Sequence, residues 1–457
     1  MTSLIRFLAA FSLMFPLLSV PAYSQGLDDA QVAQFSLDVV SGSADHAIAL
    51  SQLSQRGNPD VAAALILAMR FRANPRPIAA ALGEIIGQDI TGWQDAMLWQ
   101  EANPDIVPHA SFRDLKLDLF KRIDPSFMRF LGGERSAREN MKIRLEEITW
   151  GGVYVDGIPS LDNPAMISAA RAGYMQDDDL VFGVKINGDT RAYPLRIMGW
   201  HEMFNDTIGG VPVALAYCTL CGSGILFETQ IEGRAEPLVF GSSGFLYRSN
   251  KLMFDRQTDS LWNQFTGEPV SGPLVAADIT LKILPVAITS WAKWQASNPD
   301  TQVLSLSTGF NRNYGSGVVY SDYFSSPDLM FPAIVRDESV LQRKDYVFGI
   351  REFASAKAWP ITAFADKRVI NDAMGNKPLV LIGDAATRSV RAYARGTQVF
   401  ERGDTPDQLR DGQTTWQITE EALSAPDGTR LPRVAGHISY WFAWDGYMGF
   451  SSELYSN

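Results

Sequence analysis

The chain has 457 residues, a formal net charge of −11, 46% hydrophobic residues, 11 tryptophans and 25 phenylalanines. That length and apolar content suit two or three packed domains rather than a disordered chain. The acidic balance argues against nucleic acid and anionic lipid as partners, because both are held by basic surfaces.

The N-terminus reads as an export signal over 1–24. Arg6 supplies its positive charge, Phe7–Val20 is an apolar run broken by Pro16, and Ala22-Tyr23-Ser24 resembles a cleavage site. An uncleaved anchor is the alternative, although the run is short for a span. No later segment approaches the ~20 apolar residues that a membrane helix needs. A mature protein without a stable membrane span, periplasmic or secreted from a bacterium, is therefore expected in an oxidising compartment.

Residues 25–145 read as helical. Acidic residues open a helix at Leu27–Val32, and Asn58-Pro59 provides an N-cap followed by proline at the first helical position. Val61, Ala64, Leu65, Ala68 and Met69 fall on one helical face. Asn74-Pro75-Arg76-Pro77 ends that helix, and another starts at Ile78. The region suits a helical cap or a module that binds a protein partner. His46 and His109 read as surface or cap residues.

Near Ile148 the pattern turns to strands and glycine-rich turns. Asn187-Gly188 between two apolar runs predicts a hairpin. Val211–Tyr217 and Ile225–Ile231 read as strands on either side of Cys218-Thr219-Leu220-Cys221-Gly222, which holds both cysteines of the chain. His437 lies in a strand-like segment able to return towards this turn, where a core histidine is the simpler reading.

An internal repeat emerges at one spacing. Asp179–Val184 recurs as Asp345–Ile350, 166 positions later, and the same step carries Asn205-Asp206 onto Asn371-Asp372, Gly209 onto Gly375 and Pro212 onto Pro378. It carries His201, Glu202, Cys218 and Cys221 onto Lys367, Arg368, Asp384 and Thr387. The expectation is an α+β protein: a helical region, then a duplicated β-rich domain, copy 1 over 146–329 with a site and copy 2 over 330–457 without it.

Ala192-Tyr193-Pro194, Trp200-His201-Glu202, Tyr217-Cys218-Thr219-Leu220-Cys221-Gly222-Ser223 and Tyr247-Arg248-Ser249-Asn250 together resemble the signature of the bacterial domain-of-unknown-function family 3179. Asp255–Thr258, Ser260-Leu261-Trp262 and Trp291–Trp294 extend the likeness across about residues 145 to 395. The resemblance implies an exported β-rich domain and supplies no reaction.

Three chemistries fit the residues. The first is a transition-metal site of Cys218, Cys221 and His201, with Glu202 as ligand or as the group that orients the imidazole; two thiolates and one imidazole suit copper, or zinc. Met198, Met203 and Met253 are core residues or thioether donors. The second is a thiol–disulfide oxidoreductase, with His201 as base, although the cysteines precede a strand rather than a helix N-terminus. The third is a structural disulfide in a non-catalytic interaction module. Arg248 and Asn250, with Asp255 and Trp262, are candidates to line a pocket for a small molecule or redox partner. Arg248 suits a carboxylate or phosphate group, or else pairs with Asp255. Whether the protein is an enzyme stays open at this stage.

Overall fold

The computed structural model describes residues 26–336, 338–352 and 355–456. The expected export segment lies outside the described residues. No helix among the described residues is long and apolar enough to cross a membrane.

Asp28 opens the helical region. Its carboxylate accepts from the Gln31 amide and its own amide donates to the Gln31 side chain, a capping box that starts the helix Asp29–Ser41. Asn58 accepts from the Asp60 amide at 3.1 Å, and Pro59 begins a short 3-10 turn leading into the helix Ala62–Phe71. The sequence predicts one buried face for that helix, but Ala62 through Met69 are all buried. The helices Asp29–Ser41, Arg76–Ile86, Trp93–Ala102 and Phe112–Ile123 pack around it, so its apolar residues are covered on every side. Lys116, 1% exposed, donates to the carbonyls of Leu145 at 2.7 Å and Ile148 at 2.6 Å. It thereby ties the helices to the strand Ile148–Trp150, where the β-rich part begins.

The expected hairpin forms from Leu180–Ile186 and Asp189–Pro194. Asn187 and Gly188 take left-handed backbone at φ 49° and 84°, the turn geometry that matches strand twist. Ala287–Ser290 pairs antiparallel with one side of the hairpin and Gln302–Leu304 parallel with the other. The helix Trp291–Ser297 connects them, with Trp294 pressed on Gly183, where a Cβ would overlap the indole. The hairpin Tyr346–Glu352 with Ser355–Pro360 is flanked in the same manner by His437–Tyr440 and Ser452–Leu454. There the helix Trp441–Met448 sets Trp444 on Gly349.

Each hairpin is followed by a three-strand meander. The first comprises Met203–Ile208, Val211–Cys218 and Ser223–Glu228; the second comprises Val369–Met374, Lys377–Asp384 and Ser389–Ala394. Asn205 exchanges two hydrogen bonds with the Phe240 backbone at 2.9 and 2.8 Å, and Asn371 does so with Phe400 at 2.7 and 2.8 Å. Asp206 accepts from the Tyr193 hydroxyl and Asp372 from the Trp359 indole. The two parts then diverge. The second meander extends through Arg430–Val434 and three further hairpin strands to Glu401–Arg402, giving an eight-stranded sheet. Phe240–Tyr247, Asn250–Asp255, Leu261–Asn263 and Glu268–Ser271 instead form a separate sheet beside Ile148–Trp150. The architecture is mixed α+β, with a helical region followed by several sheets.

Candidate functional site

The turn between Val211–Cys218 and Ser223–Glu228 holds both sulfurs. Cys218 pairs across the ladder with Ser223, so four residues, Thr219–Gly222, make the reversal. The Cys221 amide donates to the Cys218 carbonyl at 3.2 Å and the Gly222 amide to Thr219 at 3.3 Å. Gly222 has φ 59°, and a Cβ there would press on the rings of Tyr346 and Tyr440 at 3.0 to 3.2 Å. Backbone conformation and close approach both require glycine. The result turns both side chains inward. The cysteines are buried free thiols, with Sγ atoms 2.9 Å apart.

Cys221 is the more enclosed of the two. Asn250 donates to its sulfur at 3.1 Å and to Gln264 Oε1 at 2.8 Å. Gln264 in turn donates to the carbonyls of Ala216 and Ser223, bridging the two strands at the base of the turn. Asn250 follows a hairpin turn in which Arg248 and Ser249 both adopt left-handed backbone, at φ 47° and 62°. The Ser249 carbonyl lies 3.4 Å from the Cys221 sulfur. Burial pushes the Cys221 thiol well above its usual pKa, and the neighbouring Cys218 adds to this, while the Asn250 donor pulls the other way. The thiol is therefore protonated at neutral pH. Asn250 Oδ1 and Ser249 Oγ are buried without a hydrogen-bond partner.

Cys218 borders a cavity of about 70 Å³, lined also by Glu202, Thr219, Lys251, Tyr320 and Phe331. Glu202 ends the helix Leu195–His201 in left-handed backbone at φ 54°. Its carbonyl accepts from the Tyr217 amide at 2.9 Å. Its carboxylate accepts from Thr219 at 2.7 Å and from Tyr320 at 3.2 Å, and pairs with Lys251 at 3.2 Å. A buried ion pair thus stands on the open side of the dithiol. Tyr323 donates to the Leu220 carbonyl at 2.6 Å and the Tyr440 amide to the Cys221 carbonyl at 2.8 Å. Three separate parts of the chain therefore clamp the turn.

The expected residues divide. Cys218, Cys221, Glu202 and Asn250 come together. His201 faces elsewhere, with Nδ1 2.9 Å from the Pro159 carbonyl and Nε2 2.6 Å from the Tyr314 hydroxyl. A carbonyl only accepts, so Nδ1 carries the proton and Nε2 accepts from Tyr314, which occupies the lone pair a metal would need. Burial lowers the pKa of His201. Consecutive residues at a helix end point in different directions, which is why Glu202 reaches the site and His201 does not. Among the described residues no group of three or more His, Cys, Asp or Glu side chains is placed to hold a metal ion. Met198 packs in one apolar cluster and Met203 and Met253 in another, both distinct from the cluster that contains the sulfurs.

Arg248 does not pair with Asp255. It bonds Glu147 at 2.8 Å, with Glu101 at 3.6 Å, and so joins this hairpin to the helical region. Asp255 instead accepts from Trp262 at 2.9 Å and from Thr258 at 2.8 Å. His437 does return towards the turn, on the strand His437–Tyr440, but its ring packs against Phe265 and Trp444. Lys251, Gln264 and Tyr320 escape the sequence reading. Lys251 left a signal, a lone cation before Leu252-Met253-Phe254 on a strand. Gln264 and Tyr320 left none, since each reaches the turn from a distant segment.

The family described as "Protein of unknown function (DUF3179)" matches residues 155–451, well over half of the chain. No curated protein and no solved structure matches it.

Proposed function

We propose that this chain, which belongs to the DUF3179 family, carries out thiol–disulfide exchange through Cys218 and Cys221 in an oxidising compartment outside the cytoplasm. The observation that carries this reading is the 2.9 Å separation of two free thiols. A disulfide needs about 2.05 Å, so closure asks for less than about 1 Å of movement. Two thiolates on one tetrahedral metal at about 2.3 Å each stand nearly 4 Å apart, so chelation asks the turn to open.

The two sulfurs have distinct roles. Cys218 borders the cavity, so its thiolate attacks one sulfur of a partner disulfide and the other partner sulfur leaves as a thiol after taking a proton. Cys221 then loses its proton and attacks Cys218 in the mixed disulfide. A Cys218–Cys221 disulfide forms and the second partner thiol departs. Two electrons pass from the dithiol to the partner disulfide, and the reverse sequence oxidises a partner dithiol. Burial keeps Cys221 protonated until that second step. The Glu202–Lys251 pair supplies fixed charges beside the cavity for the proton transfers. The partner is an exported protein or a small molecule carrying a disulfide or dithiol.

A second reading is copper binding by the same sulfurs. Its support is the apolar shell of Leu220, Phe265, Tyr440 and Phe442 around the pair, since a dry thiol pair suits soft monovalent copper. We also read 146–329 and 330–457 as two copies of one domain. Support comes from the matching hairpins, flanking strands, Trp-on-Gly contacts and Asn–backbone bonds, all following the repeat in sequence. Superposing residues 180–228 on 346–394 in an experimental structure tests that reading, and divergent strand paths count against it.

The functional experiment is a thiol count on the full chain purified from the export compartment, equilibrated across glutathione redox buffers and paired with metal analysis. A reversible two-electron couple, lost in Cys218→Ser and Cys221→Ser, is expected, and Cys221→Ser should accumulate the mixed disulfide. Stoichiometric copper that is lost with Cys218→Ser favours the second reading. Thiols that stay reduced in every buffer, with no metal, refute both.

A further inference from the structure

A second cleft lies away from the thiols. It has a volume of about 610 Å³ and opens between the helix Trp291–Ser297 and the eight-stranded C-terminal sheet. That volume is in the range of small-molecule sites. Arg368 and Asp384 line it, and they stand 166 positions after Glu202 and Cys218, which line the small cavity of the first meander. The same two positions thus face an opening in both parts of the chain, with different chemistry in each.

Cations dominate the lining. Lys185, Lys293, Arg368, Arg391 and Arg402 contribute to it, against three carboxylates. Two of the carboxylates are neutralised within the protein. Glu420 is gripped by Arg391 at 2.5 Å and by Arg433, and although burial opposes its charge these two hold its pKa at about 2. Asp384 is shared by Lys293 and Arg368, so two cations face one carboxylate. The third, Asp407, accepts from Thr405 and Gln417, both at 2.6 Å. Lys185 and Arg402 make no ion pair among the described residues. A cationic excess concentrated in a cleft is unusual in a chain of net charge −11, because the remaining surface would repel an anion that this wall attracts.

We infer that this cleft is a second binding site, and that it takes a small organic dianion such as a phosphate ester or a di- or tricarboxylate. Lys185 and Arg402 bind the ligand directly from opposite walls. Lys293 and Arg368 add charge from the Asp384 cluster, and Arg391 with Glu420 forms the fixed floor. The inference is independent of the thiol chemistry.

Titration calorimetry of the full chain in an anion-poor buffer, with inorganic pyrophosphate in one arm and citrate in the other, tests it. Saturable one-site binding of either probe is expected, and the arm that binds identifies the phosphate or the carboxylate source. Arg402→Ala and the pair Lys185→Ala/Arg402→Ala should weaken binding roughly tenfold or more, by loss of charge-assisted bonds. Cys218→Ser should leave the affinity unchanged. Arg402 is exposed, so its single variant keeps the test open if the double variant unfolds. No saturable binding of either probe, or equal affinity in the Arg402 variant, overturns the proposal.

Discussion

At the scale of single residues, Glu202 and Lys251 form a buried ion pair beside the thiols. His201 faces away, while Glu202 accepts from Thr219 of the turn and pairs with Lys251. That pair gives a test. Glu202→Gln strands the Lys251 ammonium, 4% exposed, and should cost about 3–5 kcal/mol in urea unfolding, whereas Glu202→Gln/Lys251→Met should recover much of the loss. His437 gives a pH test. Its ring nitrogens have no hydrogen-bond partner, and burial, with Arg351 nearby, lowers its pKa to about 3. The folded state resists the proton that the unfolded chain accepts below about pH 6.5, so stability present above that pH is lost as it falls towards 3, at up to about 1.4 kcal/mol per pH unit. Unfolding of His437→Leu, followed from pH 7 to 4, should lack this component; an unchanged slope contradicts the assignment.

At the scale of elements, the Asn187-Gly188 hairpin, the Asn58 cap and the strands around the cysteines could all be read directly, since each depends on local turn or cap chemistry. Periodicity gives the core helix Ala62–Phe71 a single buried face, because it cannot reveal that four other helices surround it. The β-rich character of 330–457 is expected, but the individual strands from Glu401 to Val434 leave no separate signal, as they are short and carry polar residues on their open face. In the site, rarity and spacing mark the two cysteines, whereas nothing local marks Gln264 or Tyr320 as reaching the turn. The Trp-on-Gly contacts are the sharpest element-scale feature. Gly183→Ala and Gly349→Ala should each force an indole out of its seat and cost about 1–3 kcal/mol. Chemical denaturation checks this, and matched losses at both positions are expected because the two contacts are built alike.

At the scale of the whole molecule, the helical region is bound to the β-rich part through buried charge. Arg248 holds Glu147, which is 2% exposed, and faces Glu101. Burial raises the Glu101 pKa to about 7, with Arg248 opposing and Glu147 adding to the rise. A raised carboxyl contributes stability that is complete below its unfolded pKa of about 4.5 and is lost as pH rises through about 7. Arg248→Ala should therefore loosen the helices more at pH 8 than at pH 6, seen as faster limited proteolysis between residues 102 and 148; equal cleavage at both pH values would count against the linkage. The amide of Tyr440 binds the carbonyl of Cys221 across more than two hundred residues of sequence. Any tightening of the sulfur-bearing loop must pull on that one hydrogen, so deuterium uptake at Tyr440 would act as a built-in gauge, reporting the oxidation state of the buried pair.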